Sequence, residues 1–386
     1  MAVGLGLAWT LWLAEGLLRL RPDPTGDLPL TAPRWHADGL PALDGHTAPR
    51  DYAAEPTDRP TIVVLGDSFA AGQGVTFDQA FPSLLESDLR ADHPDLRVLR
   101  LARPSRALWD EVVLHGALGS RLDPEVVVWT VVLNDVGLPG HAVGSDLVDA
   151  PPARAGSGWA LVDTLTRLRA NRALEARTEA LYQGAWTPER AEWRDARARM
   201  QQLVRAEQAR GTRVVVAIFP LLHRLDAYPF VAAHEAIAGA VAEAGGEVVD
   251  LLGAFEGQQA ATLWASRSDH HPNARAHALA AEAIAAAIRA RPWPDAVGPT
   301  PCAALPSLPG LEVAQAAACA EGTAADLLAL GRRLLAFDVF APELGMVPEV
   351  ASRALASDLA VVAAVRDPAL RAEALALVQE ARRPAP

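Results

Sequence analysis

Five short apolar runs stand out between residues 60 and 251, and polar residues, Gly or Pro separate them. Their length and their β-branched residues predict buried strands. The predicted strands cover 61–65, 97–101, 125–132, 213–220 and 247–251. Helical stretches lie between or after them, notably 80–92, 188–209, 228–244 and 274–290. This alternation predicts an α/β protein, a three-layer α/β/α sandwich around a central, mostly parallel sheet.

The remaining segments differ in composition from this α/β domain, which we place at residues 60–292. Residues 1–20 form an apolar run, and residues 21–59 are rich in Pro, Asp and Gly, which predicts a linker or a strap. After Pro292-Trp293-Pro294 the pattern changes to short helices separated by Pro and Gly. We therefore expect a small helical C-terminal extension over 297–386, for which the sequence suggests no chemistry.

The first twenty residues predict a membrane anchor. They are apolar except for Thr10, Glu15 and Arg19, and about 20 such residues are needed to span a bilayer. A cleaved signal peptide fits poorly, because no basic region precedes the run and no clear small-residue cleavage site follows it. The alternative is an amphipathic or buried N-terminal helix.

The side of the membrane on which the main domain lies is less well determined. Arg19 and Arg21 follow the apolar run, and the positive-inside rule would place them in the cytoplasm. The only cysteines, Cys302 and Cys319, could form one local disulfide, and as a pair they favour an oxidising compartment instead. Because they lack CxxC spacing, a cysteine-based zinc site is excluded. We expect an exported, membrane-anchored domain.

Composition narrows the classes of function. The net charge of -12 and the pI of about 5.3 argue against nucleic acid as a partner. Hydrophobic residues make up 51% and charged residues 21%, as in globular proteins. The chain has no lysine, so we give no functional weight to clusters of arginine. The composition leaves the oligomeric state open.

Polar loops follow the predicted strands at positions where packing does not require them. Carboxyl ends of parallel strands meet at one edge of a sheet, where ligands bind in open α/β folds. These loops would bring together a hydroxyl, an amide, backbone donors, and an imidazole near a carboxylate, which are the groups needed for acyl transfer. The loops contain Gly66-Asp67-Ser68, Ala102-Arg103-Pro104-Ser105, Leu133-Asn134-Asp135 and Ser268-Asp269-His270-His271-Pro272-Asn273.

Three of these loops carry the motifs of a known family, in the family's order. Gly66-Asp67-Ser68-Phe69 matches its first block, Asn134-Asp135 its third, and Asp269-x-His271-Pro272-Asn273 a variant of its last. The chain thus resembles the SGNH hydrolases, the GDSL family of esterases and lipases, over about residues 60–290. Any one motif would be a weak signal, but three in order after predicted strands make a strong one.

The resemblance implies a role for each matching residue. Ser68 would be the nucleophile, His271 the general base, and Asp269 the group that orients the imidazole. The oxyanion hole would be formed by the Ser68 N–H, the Ser105 N–H and the Asn134 side chain. The implied enzyme is a serine esterase that needs no metal or other cofactor, and its substrate is a small-molecule or glycan ester.

Two positions depart from the family's pattern. Ser105 stands where the second block usually has a glycine, although a serine retains the backbone N–H. Val132 replaces the glycine that usually begins the third block, which we expect to alter a turn. Neither change removes a side chain of the predicted triad.

Each candidate residue also has an ordinary structural interpretation. Ser68 could cap a helix, Asn134 could be a turn residue, and His271 could lie on the surface; their joint occurrence favours the functional interpretation. His270 competes as the base but is more simply a solvated loop residue. For Asp67, Asp135 and His277 we favour structural roles. A metal site at Asp269, His270, His271 and His277 is disfavoured because the spacing does not place two imidazoles on one helical face.

The sequence leaves two other functions open. The same residues could pass an acyl group to a saccharide hydroxyl, which would make the protein an O-acyltransferase. A different class is a non-catalytic, membrane-tethered scaffold on a hydrolase fold. The acyl chain and the alcohol part of the substrate are not determined.

Overall fold

A computed structural model describes residues 59–102, 104, 106–117, 119–136, 162, 176, 179–266, 269–294, 323–336, 356, 359, 360, 363 and 367–381. Within this part the strands are β1 (Thr61–Gly66), β2 (Arg97–Ala102), β3 (Val126–Val131), β4 (Arg213–Ile218) and β5 (Glu247–Asp250). All five are parallel, which confirms the α/β expectation. The predicted bounds of the strands differ from these by at most two residues.

Eight α-helices have both ends among the described residues. They are α1 (Ser68–Ala71), α2 (Phe81–Leu89), α3 (Leu108–Ala117), α4 (Ala191–Ala209), α5 (Val231–Glu243), α6 (Ala274–Arg289), α7 (Ala324–Ala336) and α8 (Arg371–Ala381). Short 3₁₀ turns connect several of them. The sequence pattern did not predict α3. Its buried residues Asp110, Glu111 and His115 are polar, so its sequence lacks the apolar pattern typical of a buried helix face.

The order of the strands across the sheet is β2-β1-β3-β4-β5. The chain moves outward from β1 to β2 and then returns across β1 to form β3. In parallel sheets this reversal opens a crevice between the carboxyl ends of the two strands that flank it. Loops that follow β1 and β3 therefore border the crevice.

Hydrophobic cores lie on both faces of the sheet, as the alternation of side chains in β1 requires. Val63 and Leu65 face the core that includes residues of α3, α4 and α5. Ile62 and Val64 face the core that includes residues of α1, α2 and α6. Buried residues of α7 and α8 belong to the first of these cores.

The predicted membrane anchor (residues 1–20), residues 21–58 of the predicted linker and both cysteines lie outside the described residues. Among the residues that are described, no helix is both long and apolar enough to cross a bilayer.

Candidate active site

The loop after β1 places Ser68 at the crevice. Only glycine fits at position 66, because neighbouring side chains lie close to its Cα. A Cβ there would lie 2.6 Å from Cβ of Ala70 and 3.2 Å from Cβ of Thr130. Oδ1 of Asp67 accepts a hydrogen bond of 2.9 Å from the Phe69 N–H and so caps α1. Ser68 is the first residue of this helix, a position whose N–H has no partner within the helix.

Ser68, His271 and Asp269 form a chain of hydrogen bonds. Nε2 of His271 lies 2.9 Å from Oγ of Ser68, and Nδ1 of His271 lies 2.5 Å from Oδ1 of Asp269. A carboxylate accepts the Nδ1 proton, so Nε2 is left as an acceptor that faces the hydroxyl. The structure thus brings together the three residues predicted for the triad.

The loop that carries Asp269 and His271 is anchored to the segment just before it. The Ala265 N–H donates to the His271 carbonyl at 2.8 Å, and the Asn273 N–H donates to the Leu263 carbonyl at 2.8 Å. The Asn273 side chain then caps α6. Both anchors lie next to the acid and the base, so they restrict where the imidazole can lie.

Aromatic side chains fix the neighbouring imidazoles. Phe69 packs edge-on against His271, with 5.5 Å between ring centroids. His270 instead stacks on Trp264 at 3.9 Å, and the indole N–H of Trp264 donates to the Leu222 carbonyl at 2.8 Å. His271, and not its competitor His270, is therefore the histidine that contacts Ser68.

Asn134 follows β3 and lies beside the same serine. Its Nδ2 donates to Oδ2 of Asp67 at 3.1 Å, while its buried Oδ1 has no hydrogen-bond partner among the described atoms. The backbone of this loop is held on both sides of Asn134. Trp186 Nε1 donates to the Leu133 carbonyl at 3.1 Å, and the Val132 N–H donates to the Asp135 carboxylate at 2.6 Å. The predicted structural role of Asp135 is confirmed.

Ser105, the remaining predicted oxyanion donor, lies outside the described residues. Its role stays a prediction.

Three buried carboxyl groups interact electrostatically near the loop that carries Asn134. They belong to Asp67, Glu111 and Asp135. Burial raises the pKa of the Asp67 carboxyl, against the opposing effect of hydrogen bonds from Phe69 and Asn134. Burial also raises the pKa of Glu111 and of Asp135 well above its usual range, and the charge of Asp67 adds to both shifts. Burial and the charges of Asp135 and Asp67 raise the pKa of Tyr182 to about 12. Burial thus opposes the ionisation of each of these groups.

His277, weighed above as a metal ligand, is buried and accepts a hydrogen bond from the Phe81 N–H through Nδ1 at 3.2 Å. This confirms its predicted structural role. Within the described ranges, no cluster of three or more His, Cys, Asp or Glu side chains is arranged to hold a metal ion.

Sequence reasoning missed Trp186, Trp264 and Glu111. The two tryptophans anchor loops through their indole N–H groups, and Glu111 accepts the indole N–H of Trp129 at 2.6 Å. Proximity to a motif could have drawn attention to Trp264, which lies five residues before Asp269. For Trp186 and Glu111 the sequence carries no comparable signal.

Several solved structures resemble this chain in fold. The crystal structure of TesA is 17% identical, and the match covers 60% of this chain and 98% of that one with a TM-score of 0.38. A lipase/acylhydrolase from Enterococcus faecalis is 14% identical, with 63% and 99% covered and a TM-score of 0.37. A catalytic mutant of Axe2, an acetylxylan esterase from Geobacillus stearothermophilus, is 12% identical, with 62% and 97% covered and a TM-score of 0.41. A comparison with curated proteins finds no match.

The sequence itself matches a family model. The match to the GDSL-like Lipase/Acylhydrolase family extends over residues 64–279, which is more than half of the 386 residues. It includes the loops after β1 and β3 and the segment with Asp269 and His271. The chain therefore belongs to the GDSL-like lipase/acylhydrolase family and is an enzyme of the ester-hydrolase type.

Proposed function

We propose that the protein is a serine-dependent acyl-ester hydrolase in which Ser68, His271 and Asp269 act as the catalytic triad. The observation that carries this proposal is the pair of contacts made by one imidazole. It lies 2.9 Å from the Ser68 hydroxyl and 2.5 Å from the Asp269 carboxylate. A nucleophile, a base and an orienting group in this arrangement are what acyl transfer through a covalent intermediate needs.

The acylation step follows from these positions. Oγ of Ser68 attacks the ester carbonyl carbon, its proton passes to Nε2 of His271, and the carbonyl electrons move to the oxygen. Asp269 holds the Nδ1 proton and stabilises the imidazolium that forms. When the tetrahedral intermediate collapses, Nε2 gives its proton to the leaving alcohol and Ser68 is left acylated. Water, activated by the same imidazole, then releases the acid and restores the serine.

The developing oxyanion requires donors on the other side of the carbonyl. We assign this role to the Ser68 N–H, the Asn134 amide and the Ser105 N–H. The position of Ser68 at the start of α1 supports the first assignment, because its N–H has no partner within the helix. The second is supported by the nearness of Asn134 to Ser68, since both contact Oδ2 of Asp67. Donors in such a site are worth several kcal/mol each.

We propose hydrolysis because the matching family is one of lipases and acylhydrolases. We do not propose acyl transfer to a saccharide or a scaffold role. The test is an assay of purified protein with a short-chain aryl ester. Wild type should hydrolyse the ester, Ser68→Ala and His271→Ala should lose at least about 1000-fold in kcat, and His270→Ala should stay near wild type. Full activity in Ser68→Ala would reject the proposal.

Attachment to the membrane through residues 1–20 is a separate proposal that rests on their apolar sequence. Fractionation of tagged full-length protein tests whether it is attached to the membrane. Protease treatment of intact cells tests on which side of the membrane the catalytic domain lies. Recovery of the protein in the membrane fraction, with a protease-sensitive catalytic domain, is the expected result. Recovery in the soluble fraction would contradict it.

A further inference from the structure

The carboxylate of Asp67 lies between two residues of the proposed machinery. Its Oδ2 is 3.1 Å from Oγ of Ser68 and 3.1 Å from Nδ2 of Asn134. Its Oδ1 is occupied separately by the Phe69 N–H that it caps. Asp67 has no exposed surface, so water does not compete for these contacts. One oxygen of this carboxylate therefore has a structural role, and the other faces the reacting groups.

The contact with Asp67 determines which way the amide of Asn134 points. The amide oxygen is buried and has no hydrogen-bond partner among the described atoms, so no contact there opposes a half-turn of the group. A half-turn would bring Oδ1 of Asn134 against Oδ2 of Asp67, where two acceptors face each other. With the amide held as observed, one N–H binds Asp67 and the second N–H is left for another acceptor.

We propose that Asp67 is a positioning residue of the reaction, which fixes the Asn134 amide so that its second N–H is available to the oxyanion. This inference rests on the proposed function, because it needs Asn134 as an oxyanion donor. It differs from the structural role that the sequence alone suggested for Asp67, which the Phe69 cap by itself would satisfy.

The same oxygen also affects the resting state of Ser68. The hydroxyl has one proton and two acceptors within reach, Oδ2 of Asp67 at 3.1 Å and Nε2 of His271 at 2.9 Å. On attack the proton goes to His271, and Asp67 neither gains nor loses one. Its Oδ2 then keeps only the Asn134 N–H, at the stage when the oxyanion needs that amide in place.

The substitution Asp67→Asn separates the two roles of the carboxylate. Asparagine caps a helix about as well as aspartate, so its Oδ1 can keep the Phe69 contact. Its NH₂ group, however, would face the NH₂ group of Asn134 and favour the half-turn. We expect kcat for an aryl ester to fall about 100-fold, the size typical for a lost oxyanion donor. We expect KM to change less than about threefold, because the interaction matters in the transition state.

A double-mutant cycle with Asn134→Ala distinguishes positioning from general damage. If Asp67 acts through Asn134, Asp67→Asn should cost less than about threefold in kcat once Asn134 is already alanine. An equal loss in both backgrounds would overturn the proposal, as would a kcat within about threefold of wild type for Asp67→Asn alone. The matched control is Asp250→Asn, the same change at another helix-capping aspartate, whose carboxylate contacts Leu252 and His234; it should leave kcat unchanged.

Asp67→Ser provides a second test if the asparagine variant does not fold. Serine also caps helices well, but its short side chain withdraws from Asn134. It should therefore show the same loss of kcat and the same dependence on Asn134. If neither variant folds, the carboxylate is a structural requirement and the positioning role is overturned. Activity retained by Ser68→Ala would instead reject the proposed function itself, so the two failures are distinguishable.

Discussion

Nε2 of His271 lies 2.9 Å from Oγ of Ser68, although the two residues are 203 positions apart in the chain. The sheet explains how they meet. Ser68 follows β1 directly, at the point where the strand order reverses, and His271 lies in the loop that leads into α6. Phe69 lies in the same short helix as the serine and packs edge-on against the imidazole. The contact between Ser68 and His271 thus depends on α1 and on the loop that leads into α6.

Removal of the Asn134 amide should slow the chemical step. We expect Asn134→Ala to lower kcat about 100- to 1000-fold with little change in KM, because an oxyanion donor acts mainly in the transition state. Steady-state kinetics with an aryl ester measures both constants. A variant that loses affinity but keeps kcat would show that Asn134 contacts the ground-state substrate instead.

Asp269→Asn should leave the fold intact and impair the base. The asparagine NH₂ can donate to Nδ1, which favours the wrong imidazole tautomer, and the neutral amide does not stabilise the imidazolium as a carboxylate does. We expect kcat to fall about 10³- to 10⁴-fold while the melting temperature stays near that of wild type. A loss below tenfold would show that His271 is oriented by other contacts, such as Phe69.

His277 should make the fold sensitive to acid. Burial lowers the pKa of His277 to about 3, with smaller effects from the charges of Arg100 and His271. The unfolded chain takes up this proton near pH 6.5 and the folded protein does not. Stability is therefore full above pH 6.5 and falls as the pH drops from 6.5 towards 3. At pH 5 the loss from this residue alone is about 2 kcal/mol.

The comparison with His277→Asn isolates that effect, since the asparagine Oδ1 can still accept from the Phe81 N–H but does not titrate. Urea unfolding at pH 7.5 and pH 5 gives the loss for each protein. Wild type should lose about 2 kcal/mol more than the variant between these two pH values. An equal loss in both would contradict the neutral state assigned to His277.

Two buried glutamates should respond in opposite ways to replacement by glutamine. Burial raises the pKa of Glu111 well above its usual range, so its folded form retains a proton that the unfolded chain loses. Stability therefore falls as pH rises above about 4.5, and Glu111→Gln removes this loss. The variant should melt above wild type at pH 8, and the difference should shrink towards pH 5.

Glu207 is the matched contrast. Burial acts to raise its pKa, but the charges and hydrogen bonds of His115 and Arg210 outweigh it and hold the pKa of Glu207 below its usual range. This stabilisation is present above the unfolded value and lost as pH falls through the folded one. At pH 7, Glu207→Gln should cost about 2 kcal/mol, because His115 and Arg210 lose a buried, charged hydrogen-bond acceptor while Arg210 keeps its ion pair with Asp123. Scanning calorimetry of both glutamine variants measures the two changes in stability. A loss of stability in Glu111→Gln at pH 8 would contradict the contrast.

Much of the fold could be predicted because the strands are continuous β-branched runs. The apolar runs of β3 and β4 predict strands without any knowledge of their neighbours, because strands that are covered on both faces of the sheet are apolar almost throughout. Helix α3 escaped notice for a physical reason. Its buried Asp110, Glu111 and His115 find partners only in the folded protein, so its sequence does not show a simple apolar face.

The candidate site divides in a similar way. Which residues meet could be anticipated, since parallel strand ends converge and motifs mark Ser68, Asn134 and His271. The orientation of each group could not. The contact of Asp67 with Asn134 joins residues 67 positions apart and depends on the rotamers of both side chains. The indole anchor of Trp186 on the Leu133 carbonyl depends on the packing of a distant segment.

The central claim is that Ser68 is an activated nucleophile, and covalent labelling tests it most directly. Purified full-length protein is treated with a fluorophosphonate, digested, and analysed by mass spectrometry. We expect one adduct per chain on the peptide that carries Ser68, no adduct in Ser68→Ala, and much slower labelling in His271→Ala than in the control His270→Ala. Absence of an adduct on Ser68 in protein that hydrolyses an aryl ester would contradict the account.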